Sequence, residues 1–109
     1  MEEDKLFGML GLARRAGRVV IGTEQVSVSL SKRGNAKPAL VLISDEASDG
    51  AKKKITCKCE FYKVECLILK IEMSELGRIL GKSYAPVVVG VTDEGFARRI
   101  RELAAEGQN

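Results

Sequence analysis

Arg14-Arg-Ala-Gly-Arg-Val-Val-Ile-Gly-Thr-Glu-Gln25 is the stretch on which the rest of the chain turns. It closes an apolar helical pattern with two arginines, turns at Gly17, and makes a short β-branched run, Val19–Ile21, that ends at Gly22. β-Branched residues held between glycines read as a strand bounded by turns. Thr23 follows in the position of a helix N-cap. Helix, turn, strand, turn, helix is the order of an α/β chain. The second helix start has a further property: its first N–H groups lack partners and carry partial positive charge, which suits phosphate. Arg14, Arg15 and Arg18 lie beside it in the sequence. An ordinary connection carrying solvated arginines accounts for the same residues.

Upstream, residues 4–15 place Leu6, Met9, Leu10 and Ala13 at helical spacing, and Gly8 and Gly11 predict close packing against a neighbour. Downstream, the spacing predicts a helix over 23–33, with Val26 and Leu30 inside and a stop at Gly34. Pro38 precedes a continuous apolar run over 39–44, the pattern of a strand buried on both faces. Residues 45–50 are turn-rich. A third helix over 51–62 carries Ala51, Ile55, Cys59 and Tyr62 on one face; Lys52, Lys53, Lys54 and Lys58 lie elsewhere and read as a solvated helix start, an RNA-facing role being the alternative. A strand over 64–69, a short helix over 74–80, a loop over 81–86 and a buried strand over 87–91 follow. Thr92 or Asp93 caps a last helix with Phe96, Ile100 and Leu103 inside, fraying over 107–109. Alternating strands and helices predict one α/β domain, 1–109, with helices on both faces of a sheet.

Composition narrows the function. A length of 109 residues supports one core, and an apolar fraction of 45% is ordinary for a folded chain. No apolar run is long enough to span a bilayer, and the acidic start lacks an apolar signal region, so a cytoplasmic protein without membrane association is expected. Cys57, Cys59 and Cys66 are an odd set, and the chain contains no histidine. Reduced structural thiols, not a disulfide or zinc site, are expected. The net charge of +3 hides its distribution: residues 14–37 carry six bases against Glu24, a local +5. Such a patch suits a polyanion, although a solvated basic surface would look the same.

Enzymatic signals are weak. Gly77-Arg-Ile-Leu-Gly-Lys-Ser83 has three residues between its glycines where a phosphate-wrapping loop needs four, and it follows a helical pattern instead of a strand. Without histidine, general acid–base and nucleophilic arrangements lack their usual members, and the acids Asp45, Glu46 and Asp49 sit where turns want capping groups. No catalytic residue, cofactor, metal or small-molecule substrate is expected. Binding remains. RNA readers of unpaired segments need a polar helix terminus, nearby cations and an apolar wall. Thr23, Glu24 and Gln25 supply the first, the arginines the second, and Tyr84-Ala85-Pro86 is the candidate for the third.

Six segments, in order, carry a resemblance to a known family: Leu10-Gly-Leu-Ala-Arg-Arg-Ala-Gly17, Val20-Ile-Gly-Thr-Glu-Gln25, residues 39–48, Lys53-Lys-Ile-Thr-Cys-Lys-Cys59, Leu76-Gly-Arg-Ile-Leu-Gly-Lys82 and residues 87–97. Together they resemble the ribosomal protein L-seven-Ae / L-thirty-e superfamily, most closely its small bacterial YlxQ-like branch. The resemblance implies a three-layer α-β-α sandwich around a four-stranded mixed sheet. It also implies a non-enzymatic, monomeric, translation-associated protein that binds kink-turn RNA, a bent internal loop with tandem sheared G·A pairs. In that family the start of the second helix enters the groove at the G·A pairs, and the loop before the last strand covers the extruded base. Carried over by position, the first element is Gly22, Thr23, Glu24 and Gln25 with Arg18 close by. The second is Lys82, Ser83, Tyr84, Ala85 and Pro86.

The chain departs from the family pattern Gly-x-Asn-Glu-x-x-Lys: Glu24 stands for the Asn, Gln25 for the Glu and Val28 for the Lys. A carboxylate repels phosphate, and a missing lysine removes one counterion-releasing contact. The stretch from Gly22 to Ala36 is also one residue longer than in relatives, which predicts a bulge or a late helix start. A member of the fold turned protein-interaction module is the alternative reading, and a nucleotide-binding enzyme using Lys82 is a third.

Overall fold

In the computed structural model, which describes residues 2–108 and the side chains of 5–106, helices and strands alternate as the spacing predicts. Helix α1 spans Glu2–Arg15, strand β1 Val19–Ile21 and helix α2 Thr23–Leu30. A 3-10 turn, Gly34–Ala36, leads into β2, Leu40–Ser44, followed by α3, Asp49–Tyr62, and β3, Glu65–Leu69. The short helix α4, Met73–Ile79, the strand β4, Val88–Val91, and α5, Glu94–Gln108, complete the order. The fraying expected over 107–109 meets a helix that runs on to Gln108, and Asn109 lies outside the described residues.

The strands form one sheet in the order β1-β4-β2-β3. β4 runs antiparallel to both its neighbours, and β2 pairs with β3 in parallel, so β1, β2 and β3 share one direction. All five residues of β2 are buried, and their side chains alternate between two layers. Leu40 and Leu42 join Leu6, Leu10, Ile100 and Leu103 beneath α1 and α5. Val41 and Ile43 join Val26, Leu30, Ile55 and Cys59 beneath α2 and α3. The result is a three-layer α-β-α sandwich around a mixed four-stranded sheet. Each such side chain contributes about 1.5–3 kcal/mol by leaving water, and a one-residue slip of β2 would exchange its two faces.

Several local expectations are corrected. Thr23 is not the N-cap; Gly22 holds that position with φ 109° and no capping side chain, and Thr23 is the first helical residue. The second helix stops at Leu30, three residues before Arg33, because Ser29 and Ser31 turn their hydroxyls back onto the carbonyls of Val26 and Val28, at 2.8 and 2.9 Å. Such side-chain bonds compete with continued helix. The helix neither bulges nor starts late: Val26 N–H donates regularly to the Gly22 carbonyl at 3.0 Å, and the slack falls after Ser31. Gly8 and Gly11 do not mark close packing, since a methyl group at Gly8 would meet nothing within 4 Å and one at Gly11 would only graze its neighbours. Helix α3 begins at Asp49, two residues earlier than expected, because the Ser48 hydroxyl accepts from Ala51 N–H at 3.1 Å. Asp93, not Thr92, caps α5, accepting from Phe96 N–H at 3.0 Å.

The three cysteines are free thiols. Cys59 is buried in α3 against Cys66 of β3; the hydrogen bond between them, with burial, pushes the Cys59 thiol up, and the same bond pulls the Cys66 thiol down. Polar locks fix α4. The buried Ser44 hydroxyl donates to the Ile71 carbonyl and accepts from Glu46 N–H, and the Glu46 carboxylate accepts from Met73 N–H at 2.8 Å. Glu46 therefore caps α4 across the fold, a role its own turn did not announce. Ser44→Ala leaves the Ile71 carbonyl without its partner. It should cost about 1–3 kcal/mol, read as a lowered urea midpoint at unchanged slope.

Candidate nucleic-acid interface

Antiparallel pairing of β1 with β4 sets Ile21 opposite Val89 and joins Gly22 N–H to the Val88 carbonyl at 2.9 Å. On the other side of β4, Ser44 N–H donates to the Val87 carbonyl at 2.8 Å. The carboxyl ends of β1, β2 and β3 thus gather at the edge where β4 begins. In open α/β sheets that edge is where ligands bind. The start of α2 and the loop before β4, read from the sequence as two candidate elements, meet there because each flanks a strand end that pairs with the other.

Glycine shapes both elements. Gly22 combines a positive φ with a crowded Cα: an added methyl would lie 2.3 Å from Gln25 Oε1, so the Gln25 carboxamide folds back over the glycine. Gly77 in α4 seats the loop, since a methyl there would fall 2.8 Å from the Tyr84 carbonyl and 3.2 Å from Pro86 Cδ. Its own carbonyl accepts from Lys82 N–H at 2.9 Å. The Gly77–Ser83 run is therefore a helix end followed by a turn. Between the two elements lies a groove of about 470 Å³ lined by Gly22, Thr23, Glu24 and Gln25 on one side and Tyr84, Ala85, Pro86 and Val87 on the other. A second hollow, about 510 Å³, opens on the opposite flank of α2 above β1, with Val20, Val28, Lys32 and Asn35 in its walls. Glu24 and Gln25 line both. The first turn of α2 is a ridge between two hollows.

Other expected residues lie further out. Arg18 sits at the far end of β1 from Gly22, roughly 13 Å along the strand; its carbonyl accepts from Thr92 N–H at 2.9 Å, and it lines neither hollow. Lys82 and Ser83 are exposed on the approach to the loop but outside its groove wall. Arg14 packs its guanidinium over Gly81, beside that approach, and Lys37 is spent on the Tyr62 carbonyl at 3.0 Å. Tyr84, at 53% exposure, presents its ring at the rim.

One contact was not foreseen for a lysine the sequence had named. The Lys54 ammonium of α3 is hydrogen-bonded to the Glu24 carboxylate, and it holds that carboxyl below the usual carboxylate range. One turn on, Lys58 donates to the Ser27 carbonyl and hydroxyl at 3.2 and 2.9 Å. Two of the lysines expected to solvate their own helix, Lys54 and Lys58, instead fasten α3 to α2. The i, i+4 spacing of Lys54 and Lys58, against the lone acid of a basic stretch, was the signal available.

A helix ridge and an apolar loop at the strand ends of this sheet define a class, and the comparisons agree: the chain belongs to the Ribosomal protein L7Ae/L30e/S12e/Gadd45 family, which matches residues 4–101. It is 45% identical over 98 residues to a protein named RNA-binding protein YlxQ from Bacillus subtilis (strain 168), covering 89% of this chain and 92% of that one, and falls in the bacterial YlxQ branch. A protein of unknown function from Bacillus halodurans superposes with a TM-score of 0.82 at 36% identity, covering 93% of this chain and 97% of that one. The Giardia lamblia 15.5kD RNA binding protein shares the fold, with a TM-score of 0.73 at 16% identity over 96% of this chain and 86% of its own.

Two outcomes test this geometry. Gly22→Ala forces an L side chain into the left-handed region, and a urea melt should register a loss of about 1–3 kcal/mol. The Glu24–Lys54 pair, formed above the lowered Glu24 pKa, is lost only as the pH falls through it. Both partners are well exposed, so Glu24→Gln should leave the urea midpoint at pH 7 unmoved.

Proposed function

We propose that this protein is a non-enzymatic RNA-binding protein whose single domain, 1–109, recognises kink-turn RNA in the service of translation, as a cytoplasmic monomer. One observation carries the reading: the start of α2 is a polar ridge flanked by two hollows and faced by an apolar loop. A ridge of that kind suits entry into a widened RNA groove, one strand falling to either side. Thr23 and Gln25 bring a hydroxyl and a carboxamide to base edges, and the unpaired N–H groups of the helix start favour phosphate. Tyr84 and Ala85, with the buried Pro86 behind them, offer an extruded base a surface to stack on, worth about 1–3 kcal/mol per base in comparable sites. Lys82 and Arg18, further out, add sequence-independent attraction to the RNA backbone. The RNA-binding names of the YlxQ and Giardia relatives support the partner.

The test is an equilibrium titration of a kink-turn RNA against an unbent duplex of equal length, at near-physiological salt and at two higher concentrations. A kink-turn preference that survives added salt is expected, because non-specific charge binding falls steeply with salt. Tyr84→Ala should weaken the kink-turn complex by about 1–3 kcal/mol and leave duplex binding unchanged. Weak, equal and salt-sensitive binding to both RNAs would overturn the reading and turn attention to a protein partner.

A further inference from the structure

The geometry points to Lys54 of α3 as a phosphate-contacting residue for the RNA held at the α2 ridge, a role no residue of α2 supplies. The inference rests on the kink-turn reading above and names the group that makes a ridge bearing a carboxylate tolerable to RNA.

Glu24 lies on the crest, its side chain 72% exposed and lining both hollows. Left alone it would repel a phosphate entering either of them. The cation hydrogen-bonded to it is Lys54, which reaches across from the second turn of α3; Lys58, one turn on, adds a weaker attraction. An ammonium has three donors, and a single Glu24 oxygen accepts here. The Lys54 side chain is 44% exposed and lines neither hollow, so its remaining donors are open to solvent beside the ridge. An exposed pair of this kind is weakly held, so its lysine can share or exchange its partner at little cost.

Neighbouring cations are not equivalent. Lys58 is tied to Ser27, and Lys37 to the end of α3. Val28, on the exposed side of α2, is apolar and 56% exposed. Lys32 stands in the wall of the second hollow, but the cation held on the crest of the ridge itself is Lys54, set one helix over.

A salt series on the kink-turn complex separates two roles for Lys54. If it contacts phosphate, Lys54→Ala lowers the slope of log affinity against log salt by roughly 0.7–0.9, the worth of one neutralised phosphate. It does so equally in the wild-type and Glu24→Gln backgrounds, and Lys54→Arg keeps the wild-type slope. Lys53→Ala, about 100° round the same helix, should leave the slope unchanged. Full recovery of Lys54→Ala by Glu24→Gln, with the slope unaltered throughout, would overturn the proposal and reduce Lys54 to a neutraliser of Glu24. Failure of the wild type to prefer the kink-turn at all would overturn the underlying reading together with it.

Discussion

The site depends on one pairing, β1 against β4 in antiparallel register. Because the end of one strand lies beside the start of the other, Gly22 and Val88 share a hydrogen bond, and everything attached to them is brought together. Helix α2 leaves from one side of that bond and the Tyr84–Val87 loop arrives from the other. No side chain has to bridge the two elements. The backbone ladder alone decides that a polar helix start faces an apolar wall, and the side chains then decide what the wall and the ridge can hold.

The rest of the molecule keeps those two elements from moving. β2, buried on both faces, commits Leu40 and Leu42 to one helix layer and Val41 and Ile43 to the other, so the layers cannot shift independently. On the loop side, Ser44 and Glu46 hold the segment leading into α4, and Gly77 of α4 gives the loop its seat. On the ridge side, α2 is short, with Val26 and Leu30 as its inward anchors. Its second fastening is ionic and polar: Lys54 to Glu24, Lys58 to Ser27. A loop seated against α4 thus opposes a helix whose attachment is partly solvent-exposed.

Much of this was legible in the amino-acid order, for identifiable reasons. The alternation of β-branched runs with 3.6-residue patterns gave the element order, and the unbroken apolar run before Ser44 marked the central strand. Thr23-Glu24-Gln25 after Gly22 and the Tyr-Ala-Pro loop stood out as the polar and apolar candidates, and the positional resemblance named the same places. What stayed hidden was long-range. Sequence spacing does not say which strand β1 pairs with, so the meeting of the two elements had to come from topology. The reach of Glu46 to α4 and of Lys54 to α2 is a property of neighbouring elements in space, not of neighbouring residues in the chain. Local competition was also underestimated, since the hydroxyls of Ser29 and Ser31 end α2 before its glycine does. Arg18, adjacent to the ridge in the sequence, is separated from it by the length of an extended strand.

The strand order has a consequence for how the protein comes into being. Among the described residues β1 pairs with β4 alone, and three helices and two strands lie between them in the chain. Contacts between distant parts of a chain form late because loop closure must precede them. Until β4 emerges, Gly22 has no carbonyl to meet, and the ridge and the loop remain separate segments. The candidate surface is therefore a product of long-range folding: a copy cut before β4 would keep the sequence of the ridge but not the groove beside it.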